Sequence, residues 1–170
     1  MKSEELRALQ KPLKEQYRED PSRALITLKA EGRPGEGITC SISTGQAIVR
    51  AGLHPATGGD GLSLCSGDML LEALVACAGV TLASVATALE IKLRRAVVRA
   101  EGDLDFRGTL GVSKETPVGF QQIRLKFELD SDAPEEQIAK LLALTERYCV
   151  VLQTLRQSPV ISTLRISVKN

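Results

Sequence analysis

The sequence has no excess of charge of either sign. Lysine and arginine together number 22 and aspartate and glutamate 21, which gives a formal net charge of +1 at pH 7. The two signs are also interspersed along the chain, so no long-range field would attract nucleic acid or an anionic membrane. We therefore expect small neutral or apolar molecules as partners, and neither nucleic acid nor membrane.

The sequence also lacks the apolar segments that export or membrane insertion requires. Its first 20 residues contain no apolar stretch between their charges, whereas a signal peptide needs one. The longest apolar run is interrupted by Asp68, Glu72 and Glu90. We expect a cytoplasmic protein that is neither exported by a signal peptide nor membrane-spanning.

No CxxC pair and no cluster of cysteine with histidine is present, which argues against a zinc site or a thioredoxin-like site. His54, the single histidine, precedes a proline in a polar loop and cannot form a metal site alone. Four cysteines stand apart in the chain: Cys40, Cys65, Cys77 and Cys149. In a reducing compartment, paired thiols are more often redox-active than structural. We expect no metal and no bound cofactor.

The composition that remains is that of one globular domain. The chain has 170 residues and a mass of 18.3 kDa, with 43% hydrophobic and 25% charged residues. Residues 1–22 are predicted to form an N-terminal helical appendage, in which Pro12 interrupts the pattern and Asp20–Pro21 marks a break. Residues 23–170 are predicted to form the single domain.

The order of the secondary-structure signals predicts an α+β fold. The predicted elements are, in order, a strand from Leu25, a turn over residues 32–37, a strand pair over residues 38–50, a helix over residues 67–90 with Ser66 as its N-cap, strands over residues 92–107 and 120–130 with a loop over residues 108–119 between them, a helix from Pro134 to about residue 155, and a closing strand over residues 160–168. The first helix is apolar on nearly all sides and must be buried. One short chain offers little to cover it, so we expect a homodimer.

Each predicted core helix carries one cysteine, Cys77 in ALVACAGVTL and Cys149 in ERYCVVLQTL. A buried cysteine is usually a small packing residue, and the 71 intervening residues do not by themselves bring the two together. Cys40 and Cys65 are interpreted as packing residues, although Cys65 could be an additional thiol near a pocket. Thr81 lies on the Cys77 face of the helix, as does Ser84, and their hydroxyls could line a pocket or bond back to the helix carbonyls.

The segment from Asp68 to Cys77, DMLLEALVAC, resembles the signature P-x-E-L-L-L-A-A-L-x-x-C of the OsmC/Ohr family. It follows a GGDG loop that the family also favours, and the second helix resembles the family's second-cysteine helix. The resemblance extends over about residues 24–170. It implies an OsmC-like fold with β-strands around two buried core helices, in an intertwined homodimer. It also implies a thiol-dependent peroxidase for organic hydroperoxides in the oxidative stress response, reduced by a dithiol such as dihydrolipoamide.

The resemblance further implies roles for individual residues. Cys77 corresponds to the peroxidatic thiolate and Cys149 to the resolving thiol, and by position Arg33 and Asp68 correspond to the family's orienting arginine and glutamate. The match departs from the family pattern at four positions, which are Ser66 for proline, Asp68 for glutamate, Glu72 for alanine, and Val150 for the proline that frequently follows the second cysteine. Glu72 could replace Asp68 as the orienting acid.

Elementary chemistry is consistent with these roles. A thiolate cleaves the O–O bond and leaves a sulfenic acid, which a nearby thiol condenses into a disulfide. A buried sulfur needs a cation to ionise, and Arg33 in the GRPGEG turn is the candidate, with Arg23 and Arg50 as substitutes. Asp68 precedes Cys77 by nine residues, which at about 100° per residue places it on the opposite side of a regular helix. It therefore acts through Arg33 or only stabilises the helix start.

Two other classes of function remain open at this point. One is a non-catalytic dimer that binds a small molecule in an apolar cavity between its helices. The other is a thiol enzyme of different chemistry, such as sulfur transfer or disulfide reduction.

Overall fold

The fold is taken from a computed structural model that describes residues 2–5, 8, 11, 19, 31–34, 39–43, 48–111 and 113–166. Three strands, over residues 31–34, 39–43 and 48–52, are described mainly by their backbone. The predicted strand from Leu25, the alternative cation Arg23, the Pro12 and Asp20–Pro21 breaks and the boundary at residue 22 lie outside the described residues. Residues 3–5, 8 and 11 are helical, and the Ser3 hydroxyl donates to a Glu90 carboxylate oxygen at 2.7 Å.

The first sheet has the strand order β1-β2-β3-β4. Strand β1 (Glu31–Pro34) pairs antiparallel with β2 (Thr39–Ser43), which pairs antiparallel with β3 (Ile48–Gly52), and the short β4 (Leu64–Cys65) runs parallel to β3. The predicted strand pair around residues 44–45 is confirmed. The predicted turn over residues 32–37 is wrong for its first three residues, because Gly32, Arg33 and Pro34 belong to β1. Pro34 is tolerated there because it ends an edge strand, where its missing N–H costs little.

The polar loop before the first helix is a packed turn. Residues Pro55–Thr57 form a 3₁₀ turn, and His54 caps it by accepting the Ala56 N–H at its Nδ1 over 3.0 Å. The His54 ring also stacks on Phe106 at 4.9 Å between centroids. Phe106 begins a short helix, α2 (Phe106–Thr109). This helix replaces the last two residues of the strand predicted over residues 92–107 and the first two of the loop predicted over residues 108–119. His54 thus has a packing role.

Helix α1 (Ser66–Ala88) carries the first candidate cysteine. It begins one residue earlier than predicted, since Cys65 and not Ser66 is the N-cap, and Asp68 lies in the first turn as predicted. A single stripe is fully buried, at Leu74, Ala78, Leu82 and Ala86. The opposite side is open, and Val80 is 73% exposed. The expected burial on all sides is therefore not reached within one chain.

By length and composition α1 could cross a membrane, with a mean hydropathy of 2.0 over its most apolar window. In the structure it packs on the strand over residues 95–103 and on the helices over residues 135–148 and 150–156.

The second sheet is a two-stranded antiparallel ribbon of β5 (Arg95–Asp103) and β6 (Gln122–Asp130). Its inner face packs on α1 through Val98, Ala100, Ile123, Leu125 and Phe127. Its outer face carries cross-strand ion pairs, namely Arg99 with Glu128, Glu101 with Lys126, and Asp103 with Arg124. The prediction of one solvent-facing side for these strands is confirmed.

The predicted second helix is two helices. Helix α3 (Glu135–Tyr148) ends and α4 (Val150–Arg156) begins on either side of Cys149, whose backbone is extended with φ −72° and ψ 104°. The Gln153 side chain donates to the Glu146 carbonyl oxygen at 2.7 Å across this break. The prediction of one continuous helix was wrong because a one-residue interruption leaves the apolar spacing intact.

The predicted closing strand over residues 160–168 is also wrong for its described part. Residues 157–166 have neither helix nor strand structure. Val160, Ile161, Leu164 and Ile166 are 78–101% exposed. The segment has the alternation of a strand, but none of the strand edges in the described part of this chain pairs with it.

Candidate active site

The packing of α4 against α1 brings the two candidate cysteines together. Cys77 lies midway along α1, next to the buried stripe, and is partly buried. Cys149, at the break between α3 and α4, is completely buried. Both belong to the same apolar cluster, with Leu74 and Ala78. The two thiols are free, and the Cys149 thiol is hydrogen-bonded to the Cys77 sulfur. Their proximity, which the sequence left open, is thus present in the fold.

The break at Cys149 also supplies backbone donors to the Cys77 sulfur. The first N–H groups of a helix have no partner within that helix. In α4 these groups belong to Val150 and Val151, and both donate to the Cys77 sulfur. The Thr81 hydroxyl, one helical turn after Cys77, is a further hydrogen-bonding partner of the sulfur.

These contacts decide the ionisation of Cys77. Burial acts to raise the pKa of its thiol, because it removes water from the thiolate. The hydrogen bonds from Val151, Cys149, Val150 and Thr81 act in the opposite direction and together outweigh burial. The pKa of Cys77 is therefore lowered, which favours the nucleophilic thiolate.

The pKa of Cys149 moves the other way. Burial is the largest cause and raises the pKa, and the hydrogen bond and negative charge of Cys77 raise it further. The backbone hydrogen bonds from Leu152 and Val151 lower it without reversing the direction. Of the two thiols, Cys77 is therefore the one that loses its proton more readily, and Cys149 the one that keeps it.

The two predicted acids do not touch this pair. Asp68 and Glu72 are exposed on α1, and at about 100° per residue they lie about 180° and 140° around the helix from Cys77. Glu72 is therefore not a buried charge in the single chain. Arg33 lies in β1 opposite Ser41, with its side chain outside the described part of the structure, and Arg50 in β3 is exposed. Among the described residues, no arginine contributes to the pKa of Cys77.

Sequence reasoning missed the backbone donors because an N–H carries no residue-type signal. One clue was present at Val150, where the family pattern frequently has proline. Proline has no N–H, so Val150 provides a donor that proline cannot. Among the described residues, no group of three His, Cys, Asp or Glu side chains could hold a metal ion.

A cavity of about 400 Å³ lies between the inner face of the β5–β6 ribbon and the helices α1 and α4. Its apolar walls are Leu74, Phe120, Ile123, Leu125, Phe127, Leu152 and Leu155, and its polar groups come from Gln121, Gln122, Glu146 and Arg156. Arg156 and Glu146 form an ion pair at 2.7 Å. Neither sulfur lines the cavity, but Leu74 lies one turn before Cys77 and shares its apolar cluster.

Residues 58–164 match the model of the OsmC-like protein family, which is more than half of the chain. The chain belongs to the OsmC-like protein family. The resemblance stated from DMLLEALVAC is therefore confirmed. No curated protein matches the chain significantly at the level of sequence.

Solved structures show the OsmC-like fold independently. An OsmC-like protein from Mycoplasma pneumoniae matches with a TM-score of 0.65 and 19% identity, over 78% of this chain and 89% of that one. A Legionella pneumophila organic hydroperoxide resistance protein OsmC, described as a predicted redox protein, matches with a TM-score of 0.61 and 18% identity, over 78% and 91%. The organic hydroperoxide resistance protein OhrB of Bacillus subtilis matches with a TM-score of 0.52 and 18% identity, over 78% and 93%. At these identities the likeness shows the fold alone.

Proposed function

We propose that the protein is a thiol-dependent peroxidase that reduces organic hydroperoxides. The observation that carries the proposal is the hydrogen-bonded pair of Cys77 and Cys149, in which one pKa is lowered and the other raised. Family membership supports a redox role connected with peroxides, since relatives of the same fold are named organic hydroperoxide resistance proteins.

The reaction proceeds in three steps. The Cys77 thiolate attacks the outer peroxide oxygen, the O–O bond breaks, and the alkoxide takes a proton and leaves as an alcohol. The resulting Cys77 sulfenic acid is attacked by the Cys149 sulfur, which releases water and forms the Cys77–Cys149 disulfide. An external dithiol, such as dihydrolipoamide, reduces the disulfide by exchange and becomes oxidised itself. The buried Cys149 lies beside Cys77 already, so resolution competes well with overoxidation.

In this proposal Arg33 supplies a guanidinium for the peroxide oxygens, and Asp68 or Glu72 orients it. Both acids are exposed on α1 and face away from Cys77, so they act on the arginine and not on the sulfur. A guanidinium adds to the backbone donors, because its planar fork can bind two oxygens at once.

A second copy of the chain completes the fold in this proposal. Only 22% of the apolar window of α1 is buried in one chain, and the apolar side chains of residues 160–166 are open to solvent. A segment with strand alternation and free backbone groups is suited to pairing with a partner strand. The protein is therefore proposed to be a homodimer. We also propose that it is cytoplasmic, because its thiols have to be regenerated in a reducing compartment.

The apolar cavity supports an organic substrate. Its walls share Leu74, Leu152 and Leu155 with the cluster around the thiols, so an apolar substituent can be held close to the reacting sulfur.

Peroxide consumption by purified, reduced protein tests the proposal. With cumene hydroperoxide and dihydrolipoamide, we expect turnover in wild type and in Cys65→Ser, whose thiol is not part of the pair. We expect none in Cys77→Ser. If wild type consumes no organic hydroperoxide, or if Cys77→Ser consumes it normally, the peroxidase proposal fails.

The cavity also favours a second candidate, because neither sulfur lines it. A non-catalytic dimer would bind an apolar ligand there without using the thiols. Calorimetry with a Cys77→Ser/Cys149→Ser double variant separates the two. The binding module would be favoured if wild type and the double variant bound an apolar alcohol with equal affinity and wild type showed no peroxide turnover.

A further inference from the structure

Thr81 lies one helical turn after Cys77, on the same face of α1. In an α-helix each side chain leans toward the N-terminus, so residue i+4 covers residue i. Thr81 is four residues after Cys77 and is partly buried. Its hydroxyl donates to the carbonyl oxygen of Cys77 at 2.8 Å, and the Thr81 side chain is one of the hydrogen-bonding groups that lower the pKa of the Cys77 thiol.

A hydroxyl has one proton to donate, so the two acceptors compete for it. We infer that the Thr81 hydroxyl turns its single proton from the Cys77 carbonyl oxygen to the Cys77 sulfur when that sulfur is ionised. The carbonyl keeps a partner in either state, because the Thr81 backbone N–H bonds to it within the helix. The hydrogen bond to the sulfur is stronger when the acceptor is charged. Thr81 thus stabilises the thiolate more than the thiol.

The role of Thr81 differs from the ordinary hydroxyl-to-carbonyl bonding of threonine in helices. Thr87 provides that ordinary case in the same helix, since its hydroxyl donates to the Ala83 carbonyl oxygen at 2.8 Å and it lies ten residues beyond Cys77. Any effect that comes only from losing a bond to a helix carbonyl should therefore appear equally in variants of Thr81 and Thr87.

The test is the pH dependence of Cys77 alkylation by iodoacetamide, followed by peptide mass spectrometry so that each thiol is read separately. In Thr81→Val we expect the midpoint to rise by about one pH unit, which is about a tenfold slower reaction below the midpoint. Thr81→Ser retains the hydroxyl and should restore the wild-type midpoint, and Thr87→Val should leave it unchanged. An unchanged midpoint in Thr81→Val, or an equal shift in Thr87→Val, overturns the inference.

If Thr81→Val does not fold, as judged by circular dichroism, Thr81→Ala and Thr81→Ser are compared instead. A midpoint that is raised in Thr81→Ala but not in Thr81→Ser supports the inference. Equal midpoints in the two variants refute it.

The inference rests on the proposed role of Cys77 as a thiolate, but its test needs no peroxide. The two can therefore fail separately. Absence of peroxide turnover in wild type removes the peroxidase and leaves the Thr81 effect on alkylation intact. If wild type turns over peroxide normally and Thr81→Val leaves the alkylation midpoint unchanged, the inference about Thr81 fails and the peroxidase proposal stands.

Discussion

Replacing Val150 with proline should raise the pKa of the Cys77 thiol, because it removes one of the backbone donors to that sulfur without disturbing the fold. Val150 is the first residue of α4, where proline is well tolerated, and the preceding Cys149 already has the extended backbone that proline requires. The Val150 side chain is 69% exposed, so little packing is lost. The change is therefore close to a deletion of one N–H.

The magnitude follows from the contacts of the sulfur. A hydrogen bond to a charged group contributes about 1.5–3 kcal/mol, and one pKa unit corresponds to about 1.4 kcal/mol. Cys77 is only partly buried and keeps the donors from Val151, Cys149 and Thr81, so the lower end applies. We expect a rise of about one pKa unit. The thiolate of Cys77 would then be lost at a higher pH than in wild type as the solution is acidified.

The assay is the rate of Cys77 alkylation as a function of pH, with Val150→Ala as the matched control. Alanine removes the same exposed side chain and keeps the N–H, so its midpoint should equal that of wild type. The reasoning is refuted if Val150→Pro folds normally and shows the wild-type midpoint, or if alanine shifts it as much as proline does.

Three further outcomes are expected. Arg33→Ala should slow peroxide consumption by about 10²–10³, as loss of a preorganised donor commonly does, with little change in Tm, whereas loss of activity in Arg50→Ala instead would reassign the arginine. Light scattering should give a dimer at micromolar concentration, and Leu164→Asp should weaken it; a folded wild-type monomer would contradict the proposed assembly. Leu155→Trp fills the cavity and should reduce the rate with cumene hydroperoxide about tenfold more than the rate with hydrogen peroxide. Equal effects on both rates would contradict the proposal that the cavity holds the organic part of the substrate.

Hydrophobic periodicity was sufficient to predict the elements that bury one face within the chain. The β6 alternation at Ile123, Leu125 and Phe127 and the apolar spacing of α1 both correspond to observed contacts. The break at Cys149 was not predictable in this way, because Leu141, Thr145 and Cys149 keep a four-residue spacing through it. A side-chain pattern does not report which backbone N–H groups are left free.

The site was predictable only where a residue type carries the chemistry. The two thiols were found from the family signature, and their contact required the packing of α4 on α1. The segment at residues 160–166 shows that a side-chain pattern alone does not establish a strand. Its alternation is that of a strand, but a strand also needs a partner edge, and none in the described part of this chain supplies one.

Peptide mapping of the oxidised protein is the most direct test of the proposed chemistry. Reduced protein is treated with one equivalent of an organic hydroperoxide, quenched with an alkylating agent and digested. We expect the loss of two thiols and a single new bridge between Cys77 and Cys149, while in Cys149→Ser the Cys77 sulfur should stop at sulfenic acid and advance to sulfinic acid only when excess hydroperoxide is added. A bridge from Cys77 to Cys65 or Cys40, or full retention of all four thiols, would contradict the proposed pair.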